Sequence, residues 1–424
     1  MVIKKILLLL IFLLSSNVSS FEVNDYETEI LINKLIYKIK EIHNIDRNLN
    51  FSIYKDDRIN AFVNENKKIF ISSALVENSN NYIALLSVLA HEIGHIELNH
   101  IALRKDSISK LSNYKNFGNI SIIAGAMISG NIELGNTFIA NELAIRNIYS
   151  VFTQEQEIEA DIYSIETLNK LELSPDSTLQ LLNKIEKYSQ SISKENYEQN
   201  FISHPSFQER KNIIEENRQK NNFFDSKLNN EFLYVKAKFI GHNQKNDLLK
   251  ELGDPFKLYA HAILDAKNGD LEESLKKINL VIRKDSNNMH LLETKGDILL
   301  SFGYTNEALR FYDKNLEFFP KNQYVQFRIF KNIDLIKYKE ENMINLFNDN
   351  LNLLFNYYNN KYILLKYLKI SKKLNKIEWY NFLFFWASKD KLKDELILRN
   401  LEEFSNTSDI QLKNLINNIK KSYS

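Results

Sequence analysis

The apolar positions change their period several times along the chain, and each change marks an element. Between Glu22 and about Ile45, residues Ile30, Leu31, Leu35, Ile36 and Ile39 recur at helical spacing and predict a helix with one apolar face. Three short apolar runs follow, at 51–54, 61–63 and 69–72, separated by polar turns such as Asp56-Asp57 and Asn64-Glu65-Asn66; these read as strands. Helical spacing returns from about Asn81 to Arg104, with Asn80 the expected N-cap. The stretch 105–150 is weakly patterned, carries Gly118, Gly125, Gly130 and Gly135, and is expected to be helical in pieces. Thr153, with Gln156 three residues on, forms a capping box that opens a helix to about Leu171. A further helix is expected over 177–189 and a polar loop over 190–200, with His204-Pro205 breaking the chain before a helix that starts near Ser206.

After Asp254-Pro255 the pattern becomes one of continuous paired helices. Gly269 and Gly303 lie 34 residues apart and open similar stretches, 269–275 and 303–309, each with a small residue and a leucine close behind. Thirty-four is the period of tetratricopeptide repeats. Gly296, Ala308 and Pro320 fall where two helices of a repeat cross closely and where it closes. Beyond Tyr324 the small residues vanish, so 324–424 reads as degenerate helical repeats with a capping helix. The expected organisation is a targeting segment at 1–20, a mixed domain at 21–250, repeats at 251–323 and the degenerate helical region at 324–424.

The targeting segment rests on Lys4 and Lys5 before the apolar run 6–14, then the small polar stretch 15–20, with Val18 and Ser20 at the −3 and −1 positions of a cleavage site. The apolar run is shorter than the roughly 20 residues a membrane-spanning helix needs. Export to a bacterial periplasm is the expectation, with an uncleaved anchor at the membrane surface as its rival. Composition narrows the function. The 55 basic and 54 acidic side chains leave a net charge of +1, which gives no field for bulk nucleic acid, and no nucleic-acid partner is expected. Cys is absent, so disulfides, Cys-ligated zinc fingers, iron–sulfur clusters and a Cys nucleophile are all excluded. Any metal site must be built from His and carboxylates.

Such a site is written into 86–97. His91 and His95 are four apart on an apolar-flanked helix, so both imidazoles project from one face. Glu92, beside His91, can reach a water on a shared ion. From 8 His and 54 acids, the pattern is expected by chance about 0.02 times per chain. A catalytic zinc needs a third protein ligand and an open position. The helix at Thr153 offers Glu155, Glu157, Glu159 and Asp161, of which Glu157 and Asp161 share a face, with Ala160 between them to let a neighbouring helix approach. One carboxylate on that face can bind metal and the other can accept the free N–H of a ligand histidine. His100, five after His95, falls off the metal face and is read as structural, while His43, His242, His261 and His290 lie in unrelated segments and are read as surface or partly buried.

Asn60-Ala-Phe62, the strand 69–72, the helix with Val88-Leu-Ala-His-Glu-Ile-Gly-His95, then 157–161 and Ser203-His204-Pro205 followed by Arg210 together resemble the HtpX and CAAX-prenyl-protease group of zinc metallopeptidases. The likeness covers roughly 25–250 and holds in motif order. It implies a mainly α (α+β) fold: a gluzincin-type peptidase domain with a small sheet, followed here by an α-helical tetratricopeptide-like domain. It implies one zinc per chain held by His91, His95 and Glu157, with Glu92 as general base and Asp161 behind the ligands. In periplasmic relatives a His at the position of His204 can sit over the metal and block or gate it. One departure is Asn64-Glu65-Asn66, where the family often has a Pro-Gly-Gly-like turn.

The reading is of an exported zinc metalloendopeptidase that degrades unfolded or misassembled envelope proteins. The strand 69–72 is expected to pair with extended substrate, and the repeats to hold a partner, by resemblance the outer-membrane β-barrel assembly machinery and its clients. The alternative is a repeat-based chaperone or scaffold with latent proteolysis. The oligomeric state is left open.

Overall fold

The computed structural model describes residues 22–103, 152–191, 207–220 and 222–332, with a few isolated positions at 410–417. The targeting segment, the weakly patterned stretch 105–150, most of the loop 190–200, His204-Pro205 and nearly all of the region after Asn332 lie outside the described residues. By its internal packing the chain divides between His261 and Ala262.

The first helix, α1, spans Tyr26–His43, and its buried stripe of Leu31, Ile32, Leu35, Ile36 and Ile39 is the one the sequence pattern predicts. Asp25 caps it, accepting from the Thr28 amide at 3.0 Å, and Lys238 donates to the same carboxylate at 2.8 Å. Strands β1 (Asn50–Tyr54), β2 (Ala61–Val63) and β3 (Lys68–Ser72) follow where expected. Their spatial order is β1-β3-β2, with β1 parallel and β2 antiparallel to β3. This corrects the expectation that the strand 69–72 pairs with substrate: β3 lies between two neighbours and has no outer edge. Pattern alone could not order three strands whose apolar runs look alike. The outer edge of β1 is covered at one end, where the Val23 amide donates to the Ile53 carbonyl at 2.7 Å. The edge left to consider is β2.

Ser72 closes β3 and caps the short helix α2, Ser73–Asn78. Helix α3, Tyr82–Glu97, is the axis of this unit. It is buried on almost every face, because it packs against β2, α1 and two later helices, α4 (Gln154–Lys170) and α5 (Asp176–Ser191). Its N-cap is Asn81, one residue after the expected Asn80; the Asn81 side chain accepts from the amides of Ile83 and Ala84. The expected single helix to Arg104 ends at Glu97, because Asn99 takes a left-handed conformation (φ 59°) that Asn tolerates better than most residues, and helical backbone resumes at His100. Helix α4 begins at the expected capping box, Thr153 with Gln156. Where α3 meets α4, a Cβ on Gly94 would lie 3.2 Å from Tyr163, so glycine is what permits the close crossing. Helices α6 (Phe207–Asn217) and α7 (Ser226–His242) complete the shell, and α7 places Phe232 and Val235 in the same core as Leu35, Ile71 and Leu89.

Beyond the division, α8 (Phe256–Lys267, which crosses it), α9 (Leu271–Lys284), α10 (His290–Ser301), α11 (Thr305–Phe318) and α12 (Gln323–Asn332) follow one another through short turns. The 34-residue recurrence marks equivalent turns: Gly269 and Gly303 have φ of 88° and 85°, which glycine adopts without strain. Ala308 is fully buried, and a Cβ on Gly296 would come within 2.5 Å of the Tyr312 ring.

Candidate metal centre

Helix α3 carries His91 and His95 one turn apart, and their Nε2 atoms lie 3.1 Å from each other. Glu157, in the first turn of α4, is fully buried and faces both. Its Oε2 is 3.5 Å from His91 Nε2 and its Oε1 is 3.5 Å from His95 Nε2. A tetrahedral ion with bonds of about 2.0–2.1 Å separates adjacent ligand atoms by roughly 3.3 Å. The three measured edges of 3.1, 3.5 and 3.5 Å bracket that value, so this donor set fits one small divalent cation and leaves an open face. Among the described residues, this is the group of three whose side chains could hold a metal ion.

The two imidazole rings are held from behind. His91 Nδ1 sits 2.9 Å from Asp161 Oδ1, one helical turn beyond Glu157 on α4. Arg210, on α6, clasps that carboxylate and brings Nη2 within 3.4 Å of His91 Nδ1. Burial works against a charge on Asp161, but Arg210 and His91 hold its carboxyl well below the usual carboxylate range. His95 is held differently. Its ring stacks on Phe152, centroids 3.9 Å apart and planes 10° apart, and its Nδ1 lies 2.9 Å from His100 Nδ1. His100 in turn places Nε2 2.9 Å from Glu159 Oε2.

The charge balance favours a cation. Burial opposes protonation of His91, yet Asp161 and Glu157 outweigh it and raise its pKa to about 10.

Glu92 is buried and borders a cavity of about 120 Å³ together with Asn60, Ala61, Val88, His91 and Asp161. The structure therefore brings together five residues singled out from sequence: His91, Glu92, His95, Glu157 and Asp161. His204 lies outside the described residues. Sequence reasoning missed His100, read as off the metal face; the turn at Leu98–Asn99 brings it back beside His95. It also gave no part to Phe152 and no role to Arg210. The available signal for Arg210 was a basic residue, beside Lys211, on a polar helix opposite an acidic one.

A His/His/Glu centre on crossed helices, with an adjacent glutamate beside a small sheet, is the site of a metallopeptidase. Residues 28–218 match the model of peptidase family M48, and the chain carries an M48 peptidase domain. Over 284 residues it is 24% identical to the beta-barrel assembly-enhancing protease of Escherichia coli (strain K12), covering 64% of this chain and 58% of that one. The protein of the same name from Yersinia pestis is 27% identical over 209 residues, covering 48% of this chain and 42% of that one. Metalloprotease LoiP of Escherichia coli (strain K12) is 29% identical over 168 residues, covering 38% of this chain and 60% of that one. The chain thus spans less than two thirds of the length of these relatives.

Proposed function

We propose that this protein is an exported zinc metalloendopeptidase that cleaves unfolded or misassembled envelope polypeptides. The observation that carries the metal assignment is the triangle of His91 Nε2, His95 Nε2 and Glu157, with edges suited to a tetrahedral ion. When bound, zinc supplies Lewis acidity to the scissile carbonyl and to the attacking water. Glu92 accepts the proton of that water as its oxygen bonds to the carbonyl carbon, then passes the proton to the departing nitrogen as the C–N bond breaks. Asp161, clasped by Arg210, keeps His91 oriented throughout.

The backbone of the substrate is read at β2. In its antiparallel register with β3, Asn60 accepts from the Ser72 amide and Asn64 donates to the Lys68 carbonyl, both at 3.0 Å. The alternation of an antiparallel ladder then turns the N–H and C=O of Ala61 and Val63 outward. Ala61 also borders the cavity beside Glu92, so an extended chain paired there as an added strand would lead past the catalytic groups. The cavity lining includes Ile59, Leu75, Leu182 and Ile185, which suits an apolar side chain next to the cleaved bond.

The helical hairpins after Asp254 are read as tetratricopeptide-like repeats that hold a partner. The names of the Escherichia coli and Yersinia pestis relatives support the outer-membrane β-barrel assembly machinery as that partner. Location in the periplasm rests on the leader-like segment 1–20; among the described residues, no helix is long and apolar enough to cross a membrane. His204 is assigned a gating role at the open position of the metal.

The test is cleavage of casein by purified full chain, with zinc content measured in parallel. One zinc per chain, with cleavage lost on chelation and restored by zinc, is expected. Retained holdase activity towards an unfolded client, with no chelator-sensitive cleavage, would favour the chaperone alternative.

A further inference from the structure

We propose that His100 and Glu159 are positioning residues that fix His95 in the tautomer whose Nε2 faces the metal. The inference rests on the metal centre proposed above and extends it to residues outside the ligand set. A neutral imidazole that binds metal through Nε2 must carry its proton on Nδ1. His95 turns Nε2 towards His91 and Glu157, so Nδ1 is its N–H, and the group that faces it at 2.9 Å is His100 Nδ1. Two ring nitrogens this close share one proton, so His100 Nδ1 accepts. Neutral His100 then has its own proton on Nε2, and that atom lies 2.9 Å from the Glu159 carboxylate, which accepts. The orientation of all three groups follows from one choice at the metal.

The two ligand histidines are therefore secured by different means. His91 meets a buried carboxylate directly, whereas His95 reaches a carboxylate through a second imidazole. His100 is 1% exposed, while the Glu159 side chain is 59% exposed. The relay leads from the buried centre to the surface of α4. Phe152, stacked on His95, fixes the plane of the ring but offers no acceptor, whereas His100 does.

The test uses full-length protein labelled with 15N-histidine, read by long-range proton–nitrogen spectra and by zinc competition with a chelator. In the wild type, His95 should be protonated on Nδ1 and His100 on Nε2, with and without zinc. His100→Leu keeps bulk but removes the acceptor and should weaken zinc binding by about 10–100-fold. His100→Asn, which restores a carbonyl acceptor, should recover most of that loss. Glu159→Ala should weaken zinc binding several-fold, whereas Glu155→Ala, which removes the same charge from the same helix, should not. Unchanged affinity in folded His100→Leu, equal effects in the two glutamate variants, or His100 protonated on Nδ1 would overturn the proposal. Should His100→Leu fail to fold, the glutamate pair and the wild-type tautomers still decide. A wild type that binds no zinc would defeat the metal centre itself, whereas a zinc-binding wild type with indifferent variants defeats this relay alone.

Discussion

Arg210 grips both oxygens of Asp161, Nε to Oδ2 at 2.8 Å and Nη2 to Oδ1 at 2.6 Å. The pair is largely buried behind His91, so each partner compensates the desolvation of the other. Arg210→Ala should cost about 3 kcal/mol of stability and weaken zinc affinity by roughly tenfold, because it leaves a buried carboxylate unbalanced next to a ligand. Arg210→Lys should recover charge but not the two-point geometry, and so only part of the affinity. Denaturant unfolding and chelator competition check both; normal zinc binding in Arg210→Ala would remove the role given to this arginine.

Glu92→Gln should abolish peptide hydrolysis and keep near-normal zinc content. The substitution removes a proton acceptor but neither imidazole nor Glu157. Metal analysis alongside a casein assay decides it, and substantial turnover by the zinc-loaded variant would sink the role of Glu92 as base.

Ala61→Pro should reduce kcat/KM for unfolded substrate by about tenfold, the equivalent of one backbone hydrogen bond of ~1.4 kcal/mol. It should leave the fold largely intact, because the ladder bonds to β3 belong to Asn60 and its alternate neighbours. Phe62→Pro, which strikes the β3-facing register, should instead lower the melting temperature. Identical kinetics in Ala61→Pro and wild type would move the substrate away from β2.

His204→Ala should raise basal proteolysis or self-cleavage with zinc retained, if that imidazole competes with water for the open position. A fall in kcat by about 10²–10³-fold would instead mark it as a donor to the transition-state oxyanion. An unchanged rate would return it to an ordinary turn histidine.

Acid should unfold the protein partly through Asp25. Burial alone would raise its pKa, but Lys238 and the Thr28 hydroxyl and amide bring it well below the usual range. A folded-state pKa below the unfolded one means that its stabilisation is complete above about pH 4 and disappears as pH falls through the folded value. Asp25→Asn should be less stable at pH 7 by about 2–3 kcal/mol, and the gap to wild type should narrow below about pH 4. A gap that stays constant down to pH 2 would exclude this ion pair from the acid limb.

Much of the site was legible because it depends on local periodicity. His91 and His95 share a face through the helical repeat itself, as do Glu157 and Asp161, and the Thr153–Gln156 capping box places α4 in register. The strands were readable as segments for the same reason. What escaped reading depends on contacts between distant segments or on a single dihedral. Strand order is set when β3 inserts between β1 and β2, and nothing in the runs themselves distinguishes the middle from the edge. His100 was lost because an unbroken helix would turn it about 140° from His95, whereas one left-handed residue, Asn99, redirects it. Arg210 lies 49 residues from the carboxylate it holds, beyond the reach of any local pattern.

The brevity of β2 shapes what such a protease can destroy. On the proposed reading, with only Ala61 and Val63 turned outward in a strand of three residues, a client gains few hydrogen bonds from docking and leaves quickly. A segment of a client barrel that finds its own neighbouring strand promptly never stays long enough to be cut. One that stalls returns again and again, and each visit carries a small chance of cleavage. On the proposed reading, a weak grip becomes a clock: the peptidase discriminates by how long a strand has waited for its partner, and needs no sequence signature to do so.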